Sequence, residues 1–383
     1  MTVQHASPAP DTATRPHSGG PPPRSDRLRL RGWSRADVAE LAGALLGSFA
    51  LTWLVYEELT TLSGGLGFVV CWFFAFLVTY WAMARNRLGA GAAGDRLAAA
   101  TVASVGLLLV VGLVAMLVYV VAKGYHALRP QFFTKDQYGV SPLAKPTAGG
   151  GLAAIVGSVE QVGLATVISL PLGIATAVFL TEVRGRIGRP VRLLTDAMSG
   201  IPSVLAGLFI FALLILSHVL PQSGFAVSLA LTISMLPTIT RTSEVVLRVV
   251  PGDLREASYA LGGSEWRTVR RILLPTARNG LITAAILGVA RVVGEAAPGI
   301  IDAGSSPKVN WNPFKGPQEN LPLMIYEDIK SSVPADNIRA WTAALVLVFL
   351  VLVLFVAARA IARRRPGGTR RPVFRFLDRK GPS

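Results

Sequence analysis

The fold class this sequence predicts is an all-α polytopic membrane protein, and three observations predict it. Of 383 residues, 51% are hydrophobic and only 16% are charged, where soluble domains carry roughly a quarter charged residues. The apolar residues are gathered into blocks near the ~20 residues that cross a bilayer as a helix, without the polar face of a soluble helix. The connectors between blocks alternate between Arg-dense and Arg-poor or mixed. The net charge of +16 therefore reads as membrane topology, and no nucleic-acid partner is expected.

Residues 1–36 are rich in Pro, Gly, Ser and Arg, cannot bury a core, and are expected to be a disordered basic leader. No cleavable signal is expected, because the first apolar block follows this polar stretch and no small-residue cleavage pattern ends it. Blocks at 38–56 and 66–83 form an N-terminal pair of spans. Six more follow at 97–122, 152–180, 193–220 (with Pro202 inside), 225–239, 281–301 and 340–361. The leader, the 85–96, 182–192 and 241–278 loops and the basic tail 366–383 all fall on one side of eight spans. That side is the cytoplasm, so both termini are placed there. Cys71 is alone, which rules out an intrachain disulfide. The four His residues lack metal-ligand spacing, so no metal or cofactor is expected on this chain.

Two patterns mimic nucleotide sites. Gly89-Ala90-Gly91-Ala92-Ala93-Gly94 fits G-x-G-x-x-G, but it follows a membrane block rather than a strand and is expected to be a flexible loop. Leu62-Ser63-Gly64-Gly65 is expected to be a tight outer turn. No G-x-x-x-x-G-K-[ST] phosphate loop occurs, so any ATP and Mg must bind to another polypeptide.

Between the sixth and seventh blocks lie about forty residues too polar to cross. Asp253 is the expected N-cap of a short helix over 254–261, ended by Gly262-Gly263. A second helix over 264–274 is expected to stop at Pro275. Small Ala257, Ser258 and Ala260 permit close approach of a partner, and Arg255 and Glu256 offer charge pairs; an interfacial amphipathic helix is the plainer alternative.

Charges also fall where lipid should be. Arg241 and Glu244 close the sixth block, while Arg291 and Glu295 lie in the seventh, four apart and so expected on one helix face. A charge at mid-bilayer costs on the order of 2.5–3.5 kcal/mol, so such residues face protein or a wet pathway. One reading is a structural Arg291–Glu295 pair locking helices together. The other is that Arg241 and Arg291 attract an oxyanion through their planar donor forks, while Glu295 and Glu244 tune or gate it.

Glu256-Ala257-Ser258, three residues, Gly262, nine residues, then Ile272-Leu273-Leu274-Pro275 resembles the cytoplasmic signature of binding-protein-dependent ABC importer permeases. Further blocks sharpen the likeness: Leu236-Pro237 through Glu244, Ala290-Arg291-Val292-Val293-Gly294-Glu295-Ala296-Ala297-Pro298, Gly200-Ile201-Pro202-Ser203-Val204 and Leu321-Pro322-Leu323-Met324-Ile325-Tyr326. Over about 97–365 the chain is similar to the A-type permease subunits of bacterial phosphate importers, with Ala296 where that family has Thr. The resemblance implies a six-helix type I ABC importer permease core, with the pair at 37–96 additional to it. It implies that Arg255, Glu256, Ala257, Gly262 and Pro275 belong to a loop coupling to the ATPase. It also implies a second permease subunit as heterodimer partner, a dimeric ATPase, an extracytoplasmic phosphate-binding protein, membrane lipid around the helices, and inorganic phosphate as cargo in a bacterial inner membrane. Other readings are a permease for sulfate, molybdate or phosphonate, or an anion channel working without ATP.

Overall fold

The computed structural model describes residues 34–60, 64–141, 144–183 and 185–363, with side chains to 360. The expected leader up to 33, the tail 366–383 and part of the 62–65 turn lie outside the described residues. Helices and no strands are found among those described. Among the described residues, seven helices are long and apolar enough to cross a membrane, or up to eight if one bent pair counts as a span. The chain divides into two compact units, Met1–Gly112 and Leu113–Ser383.

In the first unit, α1 (Arg35–Trp53) starts at Ser34, whose hydroxyl accepts from the Asp37 amide while Asp37 accepts from the Ser34 amide. This reciprocal cap satisfies two otherwise unpaired backbone donors. A π-helical stretch extends the helix to Leu59, and α2 (Gly65–Leu88) packs against it through Ala44, Phe76 and Tyr80. The polar end is held by charge: Arg87 bonds Glu40 at 2.8 Å and also pairs with Asp37, and Arg96 bonds Asp37 at 2.8 Å. Gly89 through Gly94 is not the expected flexible loop. The break is Gly89 alone, at φ 86°, and α3 (Ala90–Gly124) resumes at once. The strong helix propensity of the alanines, with Ala93 fully buried, outweighs the Gly penalty of about 1 kcal/mol each.

In the second unit, a short α4 (Pro130–Thr134) precedes α5 (Leu152–Glu182), which packs along α8 (Gly224–Arg248), the most buried of the spans. The core between them is Val162, Ala165, Val227, Leu231, Met235 and Ile239. Gly173 and Gly288 let two helices close on Ile239, since a Cβ at either glycine would lie 2.7 Å from that side chain. Small residues at helix contacts are how membrane helices gain dispersion energy without a hydrophobic drive.

Four expected boundaries need correction. The 193–220 block is no straight span: α6 (Gly188–Ser199) meets the helix Ser203–Ile215 at 105°. Pro202 lacks an N–H and disfavours helical geometry at Ile201, so the chain turns there. α7 (Ser203–Ile210) then continues through a π-helical stretch. The sixth span runs to Arg248 rather than 239, because Glu244 accepts ion pairs from Arg241 and Arg248 at helical spacing. The helix expected to stop at Pro275 does not stop. α9 (Gly252–Ala260) is followed by α10 (Glu265–Thr268), a π-helical stretch Val269–Leu273 and α11 (Leu274–Val292), one continuous span. Pro275 sits in the first turn of α11, and the widened π turn before it relieves the clash a proline ring makes inside a regular helix. That span ends at Val292 instead of 301. After it come α12 (Leu321–Lys330), capped by Asn320, and α13 (Pro334–Arg363).

Candidate functional site

α8 carries polar side chains along much of its length. Ser234, Thr238 and Arg241 fall at spacings of four and three, so they share one face. The end of α11 lies against this face. Arg291 Nη1 donates to Thr238 Oγ1 at 3.1 Å, and Arg291 is otherwise exposed and forms no ion pair among the described residues. Glu295 faces Ser234 one turn further along, and Glu295 Oε2 and Ser234 Oγ are both buried at that contact.

Arg291 and Glu295 do not share a helix face as expected, and the locking pair is absent. α11 closes at Val292, and the Glu295 amide donates to the Val292 carbonyl at 3.0 Å in the turn that follows. Gly294 and the approach to Pro298 end the regular hydrogen-bond ladder there. Glu295 lies close enough to feel the Arg291 charge, yet the two groups do not bond. Arg291 is thus left with donors free for an incoming group.

Arg241 stands differently. Its Nη1 bonds Glu244 Oε2 at 2.9 Å and its Nη2 pairs with Asp196 of α6. Glu244, almost wholly buried, also accepts from Arg192 of α6 at 2.6 Å and from Arg248 at 2.5 Å. A carboxylate removed from water needs such partners. The structure therefore brings Arg241 and Glu244 together in one charge cluster and sets Arg291, from the end of α11, and Glu295, from the turn after it, beside Thr238 and Ser234 of α8. Sequence reasoning missed Thr238, Arg192, Asp196 and Arg248. The spacing of Arg192 and Asp196, four apart in a two-faced segment, was the available signal.

The polar connector is built on α9 and α10. The N-cap of α9 is Pro251, not Asp253, which sits in the first turn without capping by its side chain. The helix ends as expected: Gly262 has φ 76°, and its amide donates to the Tyr259 carbonyl at 2.9 Å. Buried Ser258 and Thr268 bond hydroxyl to hydroxyl at 2.7 Å, joining α9 to α10. Arg255 turns inward, reaching Glu182 at 3.1 Å and the carbonyls of Leu247 and Val250 at 3.1 and 3.0 Å. Glu256 and Ala257 are exposed, and Pro275 is exposed at the base of α11. Leu261 is 90% exposed and Trp266 69% exposed, giving a polar connector an apolar edge that fits a protein partner.

On the opposite side of the second unit, the chain before α12 is pinned to α5 by buried amides. Asn320 donates to Gln161 at 2.7 Å, and Ser158 accepts from the Leu321 amide at 2.8 Å. Burial, together with nearby Asp328 and Glu327, pushes the Glu319 carboxyl up to about 8.

Residues 169–366 match the profile of the family described as binding-protein-dependent transport system inner membrane component. The phosphate transport system permease protein PstA 1 of Mycobacterium tuberculosis is 42% identical over 258 residues, covering 66% of this chain and 84% of that protein. PstA of Mycobacterium leprae is 43% identical over 269 residues, covering 69% and 88%. PstA of Pasteurella multocida is 35% identical over 241 residues, covering 62% and 84%. Among solved structures, an inward-facing form of the MetNI methionine ABC transporter superposes with a TM-score of 0.44 at 23% identity, over 56% of this chain and 93% of that one.

Proposed function

The chain belongs to the binding-protein-dependent transport system inner membrane component family, and from that premise we propose how it works as the permease subunit of a phosphate ABC importer. It is a multi-pass membrane component of an ABC transporter rather than its ATP-hydrolysing subunit. Sulfate, molybdate or phosphonate is not favoured as cargo, because the relatives are phosphate permeases.

The α8–α11 face forms half of the translocation path, and a second permease subunit in the same bacterial inner membrane forms the other half. Both termini lie in the cytoplasm, on the side of the Arg-dense connectors. The exposed guanidinium of Arg291, positioned by Thr238 and unpaired with any described carboxylate, is the observation that carries this reading. It offers parallel donors to two oxygens of a tetrahedral anion in a wall of low dielectric. Glu295 beside it keeps the hold weak enough for release.

The 252–275 connector takes the mechanical input. Glu256, Ala257, Leu261 and Trp266 present the surface to a dimeric ATPase, which binds ATP and Mg and hydrolyses the nucleotide. Arg255, tied to Glu182 of α5, passes displacement into the spans. Pro275 marks where the connector becomes membrane helix, so movement of α9 is transmitted along α11. An extracytoplasmic phosphate-binding protein delivers the anion on the other side.

Uptake of labelled phosphate and sulfate by vesicles holding the assembled transporter tests this. Arg291→Gln is expected to lower phosphate uptake at least tenfold with the complex still assembled. Uptake at the unsubstituted rate would remove the pathway role, and preferred uptake of sulfate would remove phosphate as cargo.

A further inference from the structure

α6 has two faces. Leu193 and Leu194 are 71% and 62% exposed on one side, as in a helix lying along a membrane interface. Arg192 and Asp196 share the other side and reach α8, Arg192 to Glu244 and Asp196 to Arg241. The 105° bend after α6 separates it from the helix that follows. The two carboxylates of the cluster are not equivalent. The Glu244 side chain is 4% exposed and bonds three arginines, so it is a fixed part of the wall. The Asp196 side chain is 51% exposed and, among the described residues, pairs with Arg241 alone.

We propose that Asp196 is an internal stand-in for the transported oxyanion, occupying the Arg241 guanidinium when no anion is there and displacing the anion toward the cytoplasm on its return. This rests on the reading of Arg241 as a pathway residue. With Asp196 in place, three guanidinium groups face two carboxylates and the cluster holds one net positive charge; with the Asp196 side chain swung off Arg241 while Arg192 stays on Glu244, it holds two. The cluster attracts an anion most when the Asp196 side chain has swung off Arg241 and least when it is seated there; movement of α6 as a whole would carry Arg192 away with Asp196 and leave the net charge unchanged. A carboxylate and a tetrahedral oxyanion offer the same pair of oxygens to an arginine fork, so one replaces the other without rearranging the wall. Asp196 is a positioning residue, acting through Arg241.

The test is inhibition of uptake by phosphate trapped inside proteoliposomes holding the complete transporter. Without the competing carboxylate, Arg241 retains internal phosphate longer. Asp196→Asn is expected to lower the internal phosphate concentration giving half-inhibition by about two- to fivefold, the range of a half-exposed ion pair. Asp196→Glu is expected to restore the original value. An unchanged half-inhibition in Asp196→Asn would overturn the proposal. So would loss of the assembled complex, which would make the carboxylate structural. Arg241→Gln, measured in parallel, separates the two claims. Normal uptake there would remove the pathway reading itself, whereas lost uptake beside an unaltered Asp196→Asn would reject the stand-in alone.

Discussion

At the scale of single residues, burial of charge is the feature that organises this chain. Arg241, Glu244, Arg291 and Glu295 were legible in the sequence because each stands in or beside an apolar block, where an unpartnered charge is costly. Their pairing was not legible. Spacing of four along the chain put Arg291 and Glu295 on one helix face and left a bond between them as one of two readings, but α11 ends at Val292 and the two groups do not bond. Thr238 was missed because a hydroxyl within a membrane helix usually bonds its own backbone and gives no signal by composition. Glu319 makes a separate prediction. An unfolded Glu titrates near 4.3, whereas burial raises Glu319 to about 8. Between those values the folded chain holds a proton that the unfolded chain has released, so folding stability falls as pH rises through this window. Glu319→Gln removes that dependence. Thermal melts of the purified transporter from pH 5 to pH 8 should fall less steeply in the variant, by roughly 2–4 °C for each kcal/mol relieved. An identical slope would show that Glu319 finds a partner that keeps it ionised.

At the scale of elements, the connector after α8 was legible in its helix-ending glycine and opaque in its proline. Gly262 occupies the left-handed region that its lack of a Cβ permits, and the motif spacing pointed to it. Nothing lies within 4 Å of a Cβ built there, so a substitution is resisted by backbone strain and not by packing. Gly262→Val should distort the α9–α10 turn at a cost of about 1–2 kcal/mol. Phosphate imported per ATP hydrolysed in proteoliposomes should then fall, with the spans intact; an unchanged ratio would mean the turn does not carry the coupling. Pro275 misled because a proline inside a helical pattern ordinarily ends it, whereas here the π turn over Val269–Leu273 absorbs the ring and the helix goes on. The 193–220 block misled for the opposite reason. Hydropathy averaged over the block passed across the bend at Pro202, hiding the two-faced α6 that brings Asp196 to Arg241.

At the scale of the whole molecule, composition and block length were enough for the class of fold, since backbone groups in lipid must be satisfied within helices. Seven of the eight expected spans appear as long apolar helices, and the remaining one is the bent pair. What the sequence could not supply was which faces turn inward, because membrane helices lack a polar side facing water to mark the other side as core. The central claim is that the α8 face carrying Thr238, with Arg291 over it, is a water-filled route for an anion. Thiol labelling tests it most directly. Cys71 is exposed, so Cys71→Ser supplies the background into which Thr238→Cys is placed. In the assembled transporter, a hydrophilic thiol reagent is predicted to modify Cys at 238 during turnover, and phosphate is predicted to slow that modification. A thiol at 238 that stays unmodified with and without nucleotide, while a control thiol on the exposed connector reacts, would contradict the account.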